Sequence, residues 1–132
     1  MKITYQSGVI PTPEQVIELY ESAKLPRPTK DSERIKKMYE NSDLIVTAWD
    51  GEKLVGASRS ITDWVWSCYL ADLAVNSNYQ YLGIGKKLID HTREQLGKQT
   101  MLILLSVPEA MEYYPKVGFT KQESCFFINR QE

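Results

Sequence analysis

Cysteine and histidine are scarce in this 132-residue chain: there are two of the former, Cys68 and Cys125, and a single histidine, His91. Two cysteines, each in an apolar strand-like run, do not make the spaced framework of a disulfide-stapled or zinc-binding fold, and one histidine cannot build a histidine-rich metal site. Reduced, buried thiols in a cytosolic chain are the simpler expectation. Long apolar runs are missing too. The longest, Met101 to Leu105, is far too short to cross a bilayer, and the segment MKITYQSGVIPTPEQ lacks the apolar centre of a signal peptide, so a cytoplasmic location is expected. No charge sign dominates: sixteen Lys and Arg face seventeen Asp and Glu for a net charge of -1, with no long block of either. That removes the electrostatic footprint of a duplex nucleic-acid or anionic-membrane binder.

What is present is ordinary for a globular domain: 42% hydrophobic and 25% charged residues, which excludes disorder as a whole-chain reading. A chain of this length can bury one sizeable core, so residues 1–132 are read as a single domain. Lys2 to Gln6 alternates as a short strand. Thr12-Pro13-Glu14-Gln15 combines a capping hydroxyl, a proline at the first helical position and a glutamine that reaches back, a strong helix start. Val16, Ile17, Leu19, Tyr20 and Ala23 give that helix an apolar face, and Pro26 and Pro28 end it. A second, more polar helix is predicted from Asp31 or Ser32 to Glu40. Leu44–Trp49 and Lys53–Ile61 form a predicted hairpin around Asp50-Gly51.

The next predicted strand is Trp66 to Val75. A glycine-bearing loop, Gln80 to Gly85, then opens a helix that runs to about Leu96 and stops at Gly97. Met101–Leu105 shows no alternation, which predicts a strand covered on both faces. A short helix from Ser106 through Val117 and a last aromatic strand, Ser124–Asn129, complete the expectation. The order β, α, α, β, β, β, α, β, α, β implies a mixed sheet, antiparallel and then crossing over to a parallel neighbour.

The chemistry is concentrated between Leu70 and Leu88. Glycines at 83 and 85 free backbone N–H groups at the positive end of a helix, a ready site for phosphate. Neither of two common nucleotide patterns fits. The phosphate-loop NTPase motif would need a leading glycine and a Ser or Thr where Lys87 stands, and the dinucleotide fingerprint would need a third glycine.

The remaining pattern, Gln-x-x-Gly-x-Gly after a strand, resembles the GNAT superfamily of acyl-CoA-dependent N-acetyltransferases. Three segments in order carry the resemblance: the hairpin Val46–Gly51 with Leu54–Arg59; Asp72-Leu73-Ala74-Val75 followed by Tyr79-Gln80 and Gly83-Ile84-Gly85; and Glu112-Tyr113-Tyr114-Pro115-Lys116-Val117-Gly118-Phe119. The resemblance implies a mixed, mostly antiparallel α/β fold of the α+β type. Helices would cover both faces, and a splayed strand pair would admit acetyl-CoA, with no metal required. Gln80, Tyr81, Leu82, Gly83, Ile84, Gly85 and Lys86 would hold the pyrophosphate of the coenzyme. Leu73, Ala74 and Val75 would pair with its pantetheine arm as an added strand. Tyr81-Leu82 departs from the glycine or basic residue that the family often has there.

The implied activity is direct acetyl transfer to a primary amine of a small molecule, protein or peptide. The alternative from another class is a non-catalytic acyl-CoA-binding or sensing module. Tyr114 falls on the tyrosine of the family signature and is the candidate acid for the departing thiolate; its alternative is an aromatic packed under the coenzyme. Asp72 is the candidate base. Strict alternation would put it on the face of Cys68, Leu70 and Ala74, partly desolvated and with a raised pKa; a structural aspartate fixing the strand by hydrogen bonds is the equal alternative. Some aminoglycoside-modifying relatives carry a similar segment with the aspartate proposed as base. Arg59, Asp63 and Trp64 are candidates for the acceptor wall, against the alternative that Arg59 and Asp63 simply pair with each other. His91 reads as a half-exposed helix residue, and Lys86 as solvated with a minor role toward the phosphates. The aromatic last strand makes a homodimer an expectation.

Overall fold

The computed structural model describes all residues, 1–132. It contains one five-stranded sheet in the spatial order β1 (Ile3–Ser7), β2 (Leu44–Asp50), β3 (Lys53–Thr62), β4 (Ser67–Val75) and β5 (Met101–Ile103). The first three pairings are antiparallel and β4–β5 is parallel. Helices α1 (Pro13–Ala23) and α2 (Ser32–Glu40) cover one face, and α3 (Ile84–Leu96) covers the other. A short α4 (Tyr113–Lys116) follows β5.

The capping signal at Thr12 forms as the sequence predicts. Gln15 N–H donates to Thr12 Oγ1 at 3.2 Å, and Thr12 N–H donates to Gln15 Oε1 at 2.9 Å. Helix α1 buries Val16, Leu19 and Tyr20 against Ile35 and Tyr39 of α2 and Ile45, Trp49, Leu54, Ala57 and Ala74 of the sheet. On the other face Leu44, Val46, Ala48 and Val55 meet Ile84, Leu88 and Leu96. Strand β2 is therefore buried on both sides, its even positions facing α3. Gly56 lets α3 come close: a Cβ there would stand 3.1 Å from both Ile84 and Leu88.

One irregularity sets up the site. Arg59 opposes Asp72 but Ser60 opposes Leu70, so β4 carries an extra residue, Ala71, between them. Such a bulge reverses which face each following side chain takes. Cys68 packs on the α3 side, whereas Ala74 packs under α1 and α2. Strict alternation across this segment is thus corrected: Asp72 shares a face with Ala74 and not with Cys68.

Three other expectations change. Met101–Leu105 forms a strand only through Ile103, and Met101, Ile103 and Leu105 stay about half exposed, because the face they share is left uncovered while Leu102, on the opposite face, packs toward the α3 layer. The helix expected over Ser106–Val117 is divided into a 3-10 turn, Pro108–Ala110, and α4, where Pro115 sits in a first turn that needs no N–H from it. Ser124–Asn129 is not a strand. Its β-rich sequence finds no sheet edge, Phe126 and Ile128 are 92% and 100% exposed, and Cys125 is exposed where a buried thiol was expected. The chain end is drawn to α2, where Arg34 Nη2 donates to Glu132 O at 3.0 Å. No helix is long and apolar enough to cross a membrane.

Candidate active site

Strands β4 and β5 pair only between Ser67–Tyr69 and Met101–Ile103. The pairing ends just before the Ala71 bulge, and from there the outer edge of β4 has no strand beside it. Asn76 N–H donates to Val55 O at 2.8 Å. The alternating backbone therefore turns Ala74 and Asp72 toward β3, and Val75 and Leu73 toward the open edge. An extended ligand could pair there as a strand would.

The edge leads into the loop before α3. Asn76 caps it, its Oδ1 accepting from Asn78 N–H at 2.9 Å, and Gln80 Nε2 donates back to Val75 O at 3.3 Å. Tyr81 (φ 65°) and Gly83 (φ 83°) both take the left-handed conformation. The first backbone donor to close α3 is Lys87, onto Gly83 O at 3.1 Å. The N–H groups of Ile84, Gly85 and Lys86 have no carbonyl a turn earlier to bond, so they are left for an anion at the positive end of a 13-residue helix. A Cβ at Gly83 would meet nothing within 4 Å, so the cradle is open on that side; one at Gly85 would lie 2.6 Å from the hydroxyl of Tyr113. Gly85 therefore also makes room for α4, a packing demand beyond the phosphate argument. Lys86 is engaged with Asp90 at 2.8 Å and Lys87 lies over the Tyr5 ring, so the cradle is a matter of backbone donors. These features fit the phosphates and arm of a coenzyme A molecule. No group of three or more His, Cys, Asp or Glu side chains is gathered to hold a metal ion.

Tyr114 is half-buried, edge-on to Tyr113 (5.3 Å between ring centres) and to Phe119 (5.5 Å). Burial raises its pKa, helped by Tyr113 and opposed by the charge of Arg27, so the phenol is a proton donor throughout the neutral range.

Asp72 is 1% exposed and sits at the centre of a polar cluster. Its Oδ1 accepts from Arg27 Nε at 2.6 Å, and its Oδ2 accepts from Arg59 Nε at 2.7 Å and from the Tyr20 hydroxyl at 2.7 Å. Because Tyr20 gives its proton to Asp72, the 2.6 Å bond between Tyr20 and Tyr39 has Tyr39 as donor. Burial alone would raise the pKa of Asp72, but the Arg59 hydrogen bond, the charges of Arg59 and Arg27 and the Tyr20 hydroxyl outweigh it, and the net shift is downward. Burial pushes the Tyr20 phenol well up and the Tyr39 phenol up too, so both stay neutral. This is the geometry of a structural carboxylate, and the raised pKa expected of a base is absent.

Arg59 and Asp63 do not pair. Arg59 is buried, bound to Asp72 and to Ser42 Oγ at 3.2 Å, whereas Asp63 Oδ1 caps the β3–β4 turn by accepting from the N–H groups of Val65, Trp66 and Ser67, which lower its pKa. Trp64 stands exposed on that turn with φ 70°. His91 is partly exposed on α3 beside Tyr5, as expected. The residue that sequence reasoning missed is Arg27. It lies between two helix-stopping prolines, and nothing in the sequence signals that it turns inward to Asp72 and Ala71 O, some 45 residues along the chain.

The family model described as "Acetyltransferase (GNAT) family" matches residues 14–119. This chain belongs to that family. Among relatives, an uncharacterized N-acetyltransferase, ycf52, of Pyropia yezoensis is 29% identical over 101 residues, covering 72% of this chain and 56% of that protein; the chain spans little more than half of that relative. Among solved structures, a Staphylococcus aureus protein of unknown function superposes with a TM-score of 0.80 at 26% identity over 98% of each chain. The aminoglycoside N-acetyltransferase AAC(6')-Iy, solved in complex with CoA, gives 0.73 at 12% identity over 98% of this chain and 95% of its own, a likeness of fold alone. The mixed α/β architecture expected for a GNAT domain is the one observed.

Proposed function

We propose that this GNAT domain is an acetyl-CoA-dependent N-acetyltransferase that transfers the acetyl group directly to a primary amine, of a small molecule or of a protein or peptide. The observation that supports it most is the continuity of the open β4 edge, Leu73 to Val75, with the free amides of Ile84, Gly85 and Lys86. An acyl-coenzyme A laid along both would bring its acyl end to the Ala71 bulge.

When bound, the coenzyme supplies an activated acyl group. A backbone N–H near Leu73 polarises its carbonyl, as a preformed dipole that needs no reorganisation. Tyr114 gives its hydroxyl proton to the departing thiolate. Asp72 holds Arg27 beside the cleft with Arg59 buried behind it, and the proton of the acceptor amine leaves through water. If Asp72 were instead the base, the pH profile of kcat/KM would show an ionisation that Asp72→Asn abolishes; in the proposed arrangement the profile keeps its shape.

The test is release of free thiol from acetyl-CoA with a panel of amines against a panel of peptides, which also separates the two acceptor classes. Tyr114→Phe should lower turnover by about a hundredfold or more while acetyl-CoA affinity, measured by calorimetry, is retained. Acetyl-CoA binding with no amine-dependent thiol release in the native protein would favour the non-catalytic binding module, native release unchanged by Tyr114→Phe would remove Tyr114 as the acid, and failure to bind acetyl-CoA would reject both readings. A homodimer is part of the proposal, through the exposed apolar residues Phe126, Phe127 and Ile128 and the uncovered edge of β5. Sedimentation at micromolar concentration showing only a 15.2 kDa species would remove it.

A further inference from the structure

The cluster beneath α1 and α2 does not balance its charge. Two guanidinium groups, Arg27 and Arg59, share the single carboxylate of Asp72, and no other carboxylate pairs with either. The phenols Tyr20 and Tyr39 remain neutral, and Glu21, exposed on α1 and hydrogen-bonded by the Thr29 hydroxyl at 3.2 Å, forms no salt bridge with either guanidinium. The cluster therefore carries one positive charge in excess. Burial decides where that charge can be met: the side chain of Asp72 is 0% exposed and that of Arg59 10%, but that of Arg27 is 24%.

Arg27 also occupies a defined place. Its Nη2 donates to Ala71 O at 2.9 Å and its Nη1 to Pro26 O at 2.7 Å, while Nε is bound to Asp72. Ala71 is the extra residue of β4, at the point where β5 leaves the strand. The guanidinium is thus fixed at the apex of the open edge, with three of its five N–H groups engaged and two free. The free amides before α3 lie beyond Val75, past the other end of that edge segment, so phosphates held there leave the charge at Arg27 unmatched.

We infer that Arg27 forms an anion subsite on the acceptor side of the cleft, and that the acceptor is an amine carrying a carboxylate or phosphate group. This rests on the acetyltransferase reading. Asp72 holds the guanidinium in one orientation, so the two free N–H groups are directed before the acceptor arrives and little rotamer freedom is lost on binding. Arg59, buried behind it, contributes charge without contact.

The test compares matched amines at equal concentration of free base: glycine with glycinamide for the carboxylate arm, and glucosamine 6-phosphate with glucosamine for the phosphate arm. In at least one arm the anionic member should have kcat/KM higher by about tenfold or more, the size of one charge-assisted hydrogen bond. Arg27→Gln should bring that ratio to within about twofold of one, and Arg27→Lys should restore part of it, the remainder reflecting the lost fork geometry. Equal ratios in the native protein, or an Arg27→Gln variant that slows both members alike, would overturn the subsite. So would a matching loss of acetyl-CoA affinity in that variant, which would give the charge to the coenzyme.

A second measurement does not depend on turnover. Titration with inorganic phosphate at constant ionic strength should move the Arg27 Nε–H resonance saturably and leave that of Arg59 in place. No movement, or equal movement with chloride, would refute the subsite. A saturable shift in a protein that acetylates no amine would refute the enzyme while leaving the anion site standing.

Discussion

At the residue scale, Asp72 holds the site together. Its carboxylate spends all its near neighbours on Arg27, Arg59 and Tyr20, so removing the charge leaves two guanidinium groups facing each other in the interior. Asp72→Asn is expected to cost about 3–5 kcal/mol, the usual penalty for breaking a buried pair, read from urea unfolding. The pH dependence has a definite sign. The folded pKa of Asp72 lies below its unfolded value, so its contribution is present above about pH 4 and is lost as pH falls through the folded pKa. The native protein should lose stability as it is acidified below that range, and Asp72→Asn should flatten this part of the curve. Little of this was legible in the sequence. Asp72 could be placed on a strand, but the face it takes depends on a bulge that alternation cannot foresee, and Arg27 reaches it from a loop distant in the chain.

Among the elements, α3 is bound to the sheet and to α4 through two glycines. Gly56→Ala would place a methyl 3.1 Å from Ile84 and Leu88 and 3.3 Å from Ala48, in a tightly packed layer. It is expected to cost about 1–3 kcal/mol by overpacking, visible as a lowered Tm. Gly85→Ala meets only the far end of Tyr113, and with the hydroxyl removed the nearest ring atom is at 3.5 Å, an ordinary contact. The damage to acetyl-CoA affinity in Gly85→Ala should therefore be partly rescued by adding Tyr113→Phe, and absence of rescue would return the glycine's role to the phosphates alone. The well-signalled elements were those with local chemistry: the Thr12 capping box, the Gly51 turn with φ 59°, and Gly97 closing α3. Ser124–Asn129 has strand composition yet no partner, since a strand is defined by what lies beside it.

For the whole molecule, strand order in space equals strand order in the chain. The β2–β3–β4 meander closes through short turns, with Asp50 opposite Lys53 and Thr62 opposite Cys68. The Arg27–Asp72 link must wait until α1, α2 and the meander have met. In kinetic terms the sheet centre is expected to form as a local nucleus, with the Arg27–Asp72–Arg59 cluster a late addition. Gly51→Ala should mainly slow refolding, whereas Arg27→Gln should mainly speed unfolding, as the two arms of a chevron would show. The buried members of that cluster, Tyr20, Tyr39 and Asp72, would then set how long the native state lasts rather than how fast it forms.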